Sequence, residues 1–223
     1  MIPGTVALLG SPLLAPASWG RLPDALEAAD PLVDVLEIPI ADDDVPPFAQ
    51  RYLTGVVLAA AAARPRLPLA LVAHSAAGPL LPGIGRGLRD AGHRVGGYVF
   101  LDAGLPGPGR PNRLELLRRE DEARVAALQE LLDGGGEFPD WTLPGVVIRP
   151  RGRAFFDEPL PTSDDWPDAP CGYLRTSSAY EMPARQAKSR GWPVVESDAD
   201  HHLPWLDDPA GVAVRLLDVI ERL

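Results

Sequence analysis

The sequence predicts an α/β protein: a mainly parallel, doubly wound sheet with helices on both faces. Three observations carry this. Short apolar runs alternate with longer segments of helical period along the chain. One run, residues 69–73, has no polar member, as a central strand buried on both faces requires. Strands separated by helix-length segments pair in parallel through crossovers rather than as hairpins.

The elements follow in order. Residues 6–9 read as a strand and 18–29 as a helix with Ser18 as N-cap. Residues 33–38 form a second strand, and 48–64 a helix that ends before Pro65. After the buried strand 69–73 comes a helix over 79–91, carrying Pro82 and three glycines, and then a strand over 98–101. Residues 113–132 make the clearest amphipathic helix, stopped by Gly134-Gly135-Gly136. Residues 138–170 are rich in Pro and Asp and show no regular period. Strands at 172–176 and 194–196 flank a helix over 183–190, with Pro183 in its first turn. An amphipathic helix over 209–223 closes the chain.

The length of 223 residues suits one domain, 1–223, with an insertion at 104–169. A net charge of −10 opposes nucleic acid and anionic membrane surfaces as partners. Residues 6–14 are apolar, and Ala15-Pro16-Ala17 mimics a cleavage site. No basic residue precedes Arg21, so a buried strand and a cytoplasmic location are expected. The single cysteine, Cys171, excludes an internal disulfide and any CxxC metal knuckle. Glycine-rich phosphate loops are absent, since Gly83-Ile84-Gly85-Arg86-Gly87 follows no strand. Asp42-Asp43-Asp44 lacks an EF-hand frame and reads as a turn before a helix. No cofactor and no metal are expected. The partner expected is a small-molecule substrate, met by a monomer or homodimer.

The chemistry centres on Ala73-His74-Ser75-Ala76-Ala77-Gly78, between the buried strand and a helix. A serine nucleophile on such a bend needs small residues two before and two after it, and Ala73 and Ala77 supply them. The bend exposes the hydroxyl and leaves the next N–H, that of Ala76, free to face an oxyanion. A serine needs a base. His201 and His202 follow the last strand, on the same sheet edge as Ser75.

This strand, elbow and helix, with the late run His202-Leu203-Pro204-Trp205-Leu206-Asp207-Asp208-Pro209, resembles the α/β-hydrolase family over residues 6–223. The resemblance implies the order serine, acid, histidine. It selects His202 as base over His201, because the family's histidine stands six residues before an Asp-Pro. It implies an N-terminally shortened sheet and a small lid at 104–169. The family's His-Gly oxyanion turn is replaced here by Gly10-Ser11-Pro12-Leu13. Pro12 has no N–H, so the second donor is Leu13, or Ser11 by backbone or hydroxyl. Trp19 is expected to pack rather than react. The acid has two candidates. The family usually places its acid after the penultimate strand, where the loop 176–181 offers only Glu181. Asp102 ends an earlier strand, where a short side chain is held rigidly, and is preferred to Glu181; a site with no acid is the third reading.

Trp141, Phe155, Phe156 and Trp166 in the insertion are candidates to line an acyl or ring pocket, with Ser11 at its edge. Arg149, Arg151 and Arg153 form a basic cluster suited to an anionic substrate group or to a solvated strand edge. The expected function is a serine esterase or thioesterase acting through an acyl-enzyme on Ser75. The alternatives are a non-hydrolytic enzyme of the same fold in specialised metabolism, and a non-catalytic small-molecule binding protein.

Overall fold

The computed structural model describes residues 2–16, 18–39, 43–143, 145–162, 165–197 and 199–223. Ala17 and Asp42, which entered two of the sequence readings, lie outside the described residues. The order is β1 (Thr5–Leu9), α1 (Leu22–Ala29), β2 (Asp34–Ile38), α2 (Phe48–Ala63), β3 (Leu69–His74), α3 (Leu81–Asp90) and β4 (Val95–Leu101). Then come α4 (Arg113–Arg118), α5 (Glu122–Asp133), α6 (Arg153–Asp157), β5 (Cys171–Arg175), α7 (Glu181–Ser189), β6 (Val194–Glu196) and α8 (Pro209–Glu221).

The six strands form one sheet in the order β2-β1-β3-β4-β5-β6, every pair parallel. Period-two alternation sorts the strand side chains to two faces. Ala7, Leu9, Leu69, Leu71, Ala73, Tyr98 and Phe100 pack with α2, α3 and α7. Val6, Leu8, Ala70, Val72, Val99, Leu101 and Leu174 pack with α1 and α8. Both faces of β3 are therefore buried, which is why it carries no polar residue before His74. The chain leaves β1 toward β2 on one side and later leaves β3 toward β4 on the other. The β1 and β3 ends thus flank the crevice where open parallel sheets bind ligands.

Several boundaries differ from the sequence expectation for local reasons. Ser18 does not cap α1. Gly20 sits at φ +54, and the helix starts at Leu22 with Pro23 in its first turn. The helix expected over 79–91 begins as a tighter 3-10 turn at Ser75–Leu80 and becomes α-helical at Leu81. The helix expected over 113–132 is two helices. Asp121 accepts the Arg124 N–H at 2.9 Å and caps α5 afresh, which ends the α4 run. Among the described residues no helix is long and apolar enough to cross a membrane.

Between β4 and β5 the chain leaves the sheet and carries α4, α5 and α6. These helices share a third apolar cluster with Leu13 and Phe48 of the sheet body, built from Leu114, Val125, Leu128, Leu132, Phe155 and Phe156. Arg113 is buried within it. Its guanidinium lies 3.7 Å from the Phe155 ring centroid and donates to the Phe155 carbonyl at 2.8 Å.

Candidate active site

Ser75 follows β3 directly and takes φ +56, a left-handed conformation that costs a non-glycine residue on the order of 1–3 kcal/mol. The strained turn is tolerated because the backbone around it is packed without slack. A Cβ on Gly78 would stand 2.4 Å from the Gly104 carbonyl and 2.8 Å from the Ala103 methyl. Only glycine lets the helix start this close to the end of β4. Ala76 lies in the first turn after the strand, where its N–H has no intrahelical acceptor.

Asp102 directly follows β4, the strand paired with β3, and also takes a positive φ, +39. Its carboxylate is fully buried and surrounded by donors. Thr176 N–H donates at 2.6 Å and Ser177 N–H at 3.3 Å, both to Oδ1. The His202 ring nitrogen Nδ1 lies 3.3 Å from Oδ2. The Thr176 hydroxyl is 2.8 Å from Oδ2 and 2.9 Å from the His201 carbonyl, so its one proton serves one or the other. With Nδ1 turned to Asp102, the free ring nitrogen of His202 is Nε2.

The other two sequence candidates are placed elsewhere. Glu181 is exposed at the start of α7 and pairs with Arg185. His201 builds the turn: its backbone N–H donates to the Thr176 carbonyl at 3.0 Å, and its Nδ1 accepts the Leu203 N–H at 3.1 Å.

His74 packs beneath His202, with ring centroids 4.4 Å apart, and against Trp205 at 4.8 Å. Its Nε2–H donates to the His202 carbonyl at 3.2 Å. Burial holds its pKa well below the usual imidazole value, helped by the neighbouring His202. A neutral ring there adds no repulsion when His202 becomes an imidazolium. Trp19 packs on Trp205 at 4.9 Å and near His74.

The turn after β1 is held by its carbonyls. Tyr52 donates its hydroxyl to Gly10 O at 2.6 Å, and Arg149 N–H donates to Leu13 O at 2.8 Å. Arg151 donates to Pro12 O from Nε at 3.3 Å and from Nη2 at 3.2 Å. Leu13 N–H meets the Ser11 hydroxyl at 3.3 Å, so these two oxyanion candidates touch each other.

Arg151 also corrects the reading of the basic cluster. Arg149 and Arg151 pair with buried Asp43 at 2.5 and 3.2 Å, and with Asp44 at 2.5 and 2.8 Å. Arg153 pairs with Asp133 and Asp157. Their charge is spent on carboxylates of the same chain rather than held for a substrate anion. Asp43 and Asp44, which lie just before α2 as the sequence reading had them, are the counter-ions of Arg149 and Arg151.

A cavity of about 540 Å³ opens over these groups. Ser11, Leu13, Ser75, Ala76, Trp141, Phe156 and His202 all line it, and leucines of α4 and α5 supply much of the wall. Phe155 is not part of the lining. It is buried under Arg113 and against Phe48. Trp166 packs on Tyr98, Phe100 and Trp192 in the sheet core instead.

Two of the lining residues that carried no role in the sequence reading bear on the chemistry. Tyr180 stands where the family's acid loop was expected, and its hydroxyl lies 3.3 Å from Ser75 Oγ. Among the described residues, this and not His202 is the hydrogen-bond partner of the Ser75 hydroxyl. The other is Glu120, between α4 and α5. Burial pushes its carboxyl up to about 7, against opposing contributions from Arg124 and the Leu105 N–H. The folded state then keeps a proton that the unfolded chain, at the ordinary 4.5, has released. Stability should fall as pH rises from 4.5 toward 7. Glu120→Gln should gain on the wild type by about 2 kcal/mol across that window, read by urea unfolding at its two ends. A difference that does not change with pH would mean that Glu120 titrates normally.

Neither a family model nor a curated protein matches the chain. Solved structures do. An extracellular α/β-hydrolase from a Paenibacillus species, described as sharing structural and functional homology with tobacco salicylic acid binding protein 2, is similar with a TM-score of 0.75. The match has 16% identity and covers 97% of this chain and 99% of that one. Polyneuridine aldehyde esterase matches with a TM-score of 0.68 and 17% identity, over 96% of this chain and 98% of that one. Tomato methylketone synthase I complexed with 2-tridecanone matches with a TM-score of 0.66 and 12% identity, over 99% of each chain. The chain has the α/β-hydrolase fold.

Proposed function

We propose that the protein is a serine hydrolase that cleaves an ester or thioester of an apolar small molecule through an acyl-enzyme. The observation that carries this is the convergence of Ser75 on its strained elbow and the Asp102–His202 pair at 3.3 Å on one apolar cavity. Ser75 Oγ attacks the carbonyl carbon and its proton passes to His202 Nε2. Asp102 holds the ring in the tautomer that leaves Nε2 bare and stabilises the imidazolium that forms. The Ala76 N–H and the Ser11–Leu13 turn face the carbonyl oxygen as it becomes an oxyanion. His202 then protonates the departing alcohol or thiol, and water, activated by the same ring, releases the acid.

The insertion acts as a fixed roof in this scheme, since Arg151 ties it to the body through Asp43 and the Pro12 carbonyl. The apolar wall of leucines with Phe156 and Trp141 supports an uncharged acyl or ring group as the part recognised. The volume lies within the range of small-ligand sites. The esterases among the structural neighbours are in keeping with this chemistry.

Incubation with a fluorophosphonate tests the proposal. A single adduct on the peptide containing Ser75 is expected, with loss of activity on p-nitrophenyl esters of medium chain length. A folded protein that takes up no label would refute it.

One observation favours a second reading. The Ser75 hydroxyl is engaged with Tyr180, and one structural neighbour is named a synthase and not a hydrolase. A non-hydrolytic reaction in the same cavity would persist in Ser75→Ala on its natural substrate, whereas hydrolysis would not.

A further inference from the structure

We infer that Tyr180 is a catalytic residue whose hydroxyl donates to Ser75 Oγ while that oxygen carries developing negative charge. This deepens the serine-hydrolase reading and rests on it. Tyr180 is buried, with its phenol oxygen 3.3 Å from Ser75 Oγ. Its ring lies 11° from parallel to the His202 ring, with centroids 4.9 Å apart. The same side chain therefore touches both nucleophile and base.

Its placement is not left to a loose loop. Tyr180 closes the 3-10 turn Ser178–Tyr180, which directly follows the Thr176 and Ser177 N–H groups that grip Asp102. Ser178 N–H is bonded to Asp200 Oδ1 at 2.7 Å, tying the turn to the loop that carries His202. One short stretch thus positions acid, base and phenol together.

Either hydroxyl can donate in this contact, and the reaction selects Tyr180. If Ser75 donated to Tyr180, its proton would be held away from His202. With Tyr180 as donor, the Ser75 proton remains available for transfer to His202 Nε2. Burial also raises the Tyr180 pKa, so the phenol keeps its proton and remains a donor.

The contact is worth most when Oγ is most negative. That occurs as the serine proton leaves for His202 while the bond from Oγ to the carbonyl carbon forms. It occurs again when the same bond breaks in deacylation and the electron pair returns to Oγ. Tyr180 keeps its own proton throughout, so the step balances with Ser75, His202 and substrate alone. A bond that strengthens only in the transition state raises kcat and leaves KM unchanged.

The test compares wild type, Tyr180→Phe and Ser75→Ala by the rate of fluorophosphonate labelling and by kcat and KM on a p-nitrophenyl ester. Phenylalanine keeps the ring on His202 and removes only the hydroxyl. We expect labelling and kcat to fall about 10-fold to 100-fold with KM unchanged. Tyr180→Met, which also lacks the hydroxyl, serves if the phenylalanine variant does not fold. Wild-type rates in the variant would overturn the role of Tyr180 and leave the serine reading standing. A wild type that labels no faster than Ser75→Ala would overturn both.

Discussion

Ser75→Ala and His202→Ala are each expected to lower kcat for ester hydrolysis by about a million-fold, and the double variant no further. In the proposed mechanism the two groups act as one device. A serine hydroxyl without a base barely attacks, and a base without the hydroxyl has nothing to activate. The residual rate over water then comes from oxyanion donors and substrate binding. Neither substitution should cost much stability. Alanine keeps the Cβ and the φ of +56 at position 75, and the His202 side chain is 30% exposed. His201→Ala is the informative control. Its ring accepts the Leu203 N–H and does not line the cavity, so its activity should stay near wild type. Steady-state kinetics on purified variants with matched unfolding curves checks this. A His201 variant that is dead while the His202 variant is active would reverse the assignment.

Asp102→Asn is expected to cut kcat by about ten thousand-fold. The buried carboxylate accepts at two oxygens, and asparagine offers only one acceptor. If the amide oxygen stays on the Thr176 and Ser177 N–H groups, the amide NH2 faces His202 Nδ1. It would donate there, place the ring proton on Nε2 and block removal of the Ser75 proton. If the amide turns over, an NH2 meets two backbone donors in a buried site, which costs about 1–3 kcal/mol. Activity and stability should therefore both fall. Glu181→Gln, at an exposed residue paired with Arg185, should change kcat by less than about two-fold and stability by under about 0.5 kcal/mol. Turnover retained within ten-fold in Asp102→Asn would remove Asp102 from the orienting role.

The sheet was legible because burial on two faces leaves a plain mark in residue type. Strand β3 carries it most clearly, and the tight turn at Ser75 after it is marked by Ala73, Ala77 and Gly78, whose small size follows from backbone crowding. The break between α4 and α5 was harder to read, since Asp121 sits within an amphipathic run and only its capping bond distinguishes it. Phe155 and Phe156 are neighbours with the same chemistry, yet one lines the cavity and the other lies beneath Arg113. A five-residue helix gives too little period to tell which is which. The pairing of Arg149 and Arg151 was hidden for a related reason. Their counter-ions, Asp43 and Asp44, lie more than a hundred residues away in sequence.

The sequence by itself determined what local physics writes into residue choice. Apolar runs placed the strands and small residues marked the turn at Ser75, while the preference for His202 over His201 came from the family resemblance. Tertiary structure alone decided which distant groups meet. It turned Nδ1 of His202 to Asp102, brought the Tyr180 hydroxyl to Ser75, and neutralised Arg149 and Arg151 with Asp43 and Asp44. Pairings across 100 or more residues depend on where whole elements dock, and docking is driven by non-directional burial of apolar surface. No spacing within the chain encodes that outcome.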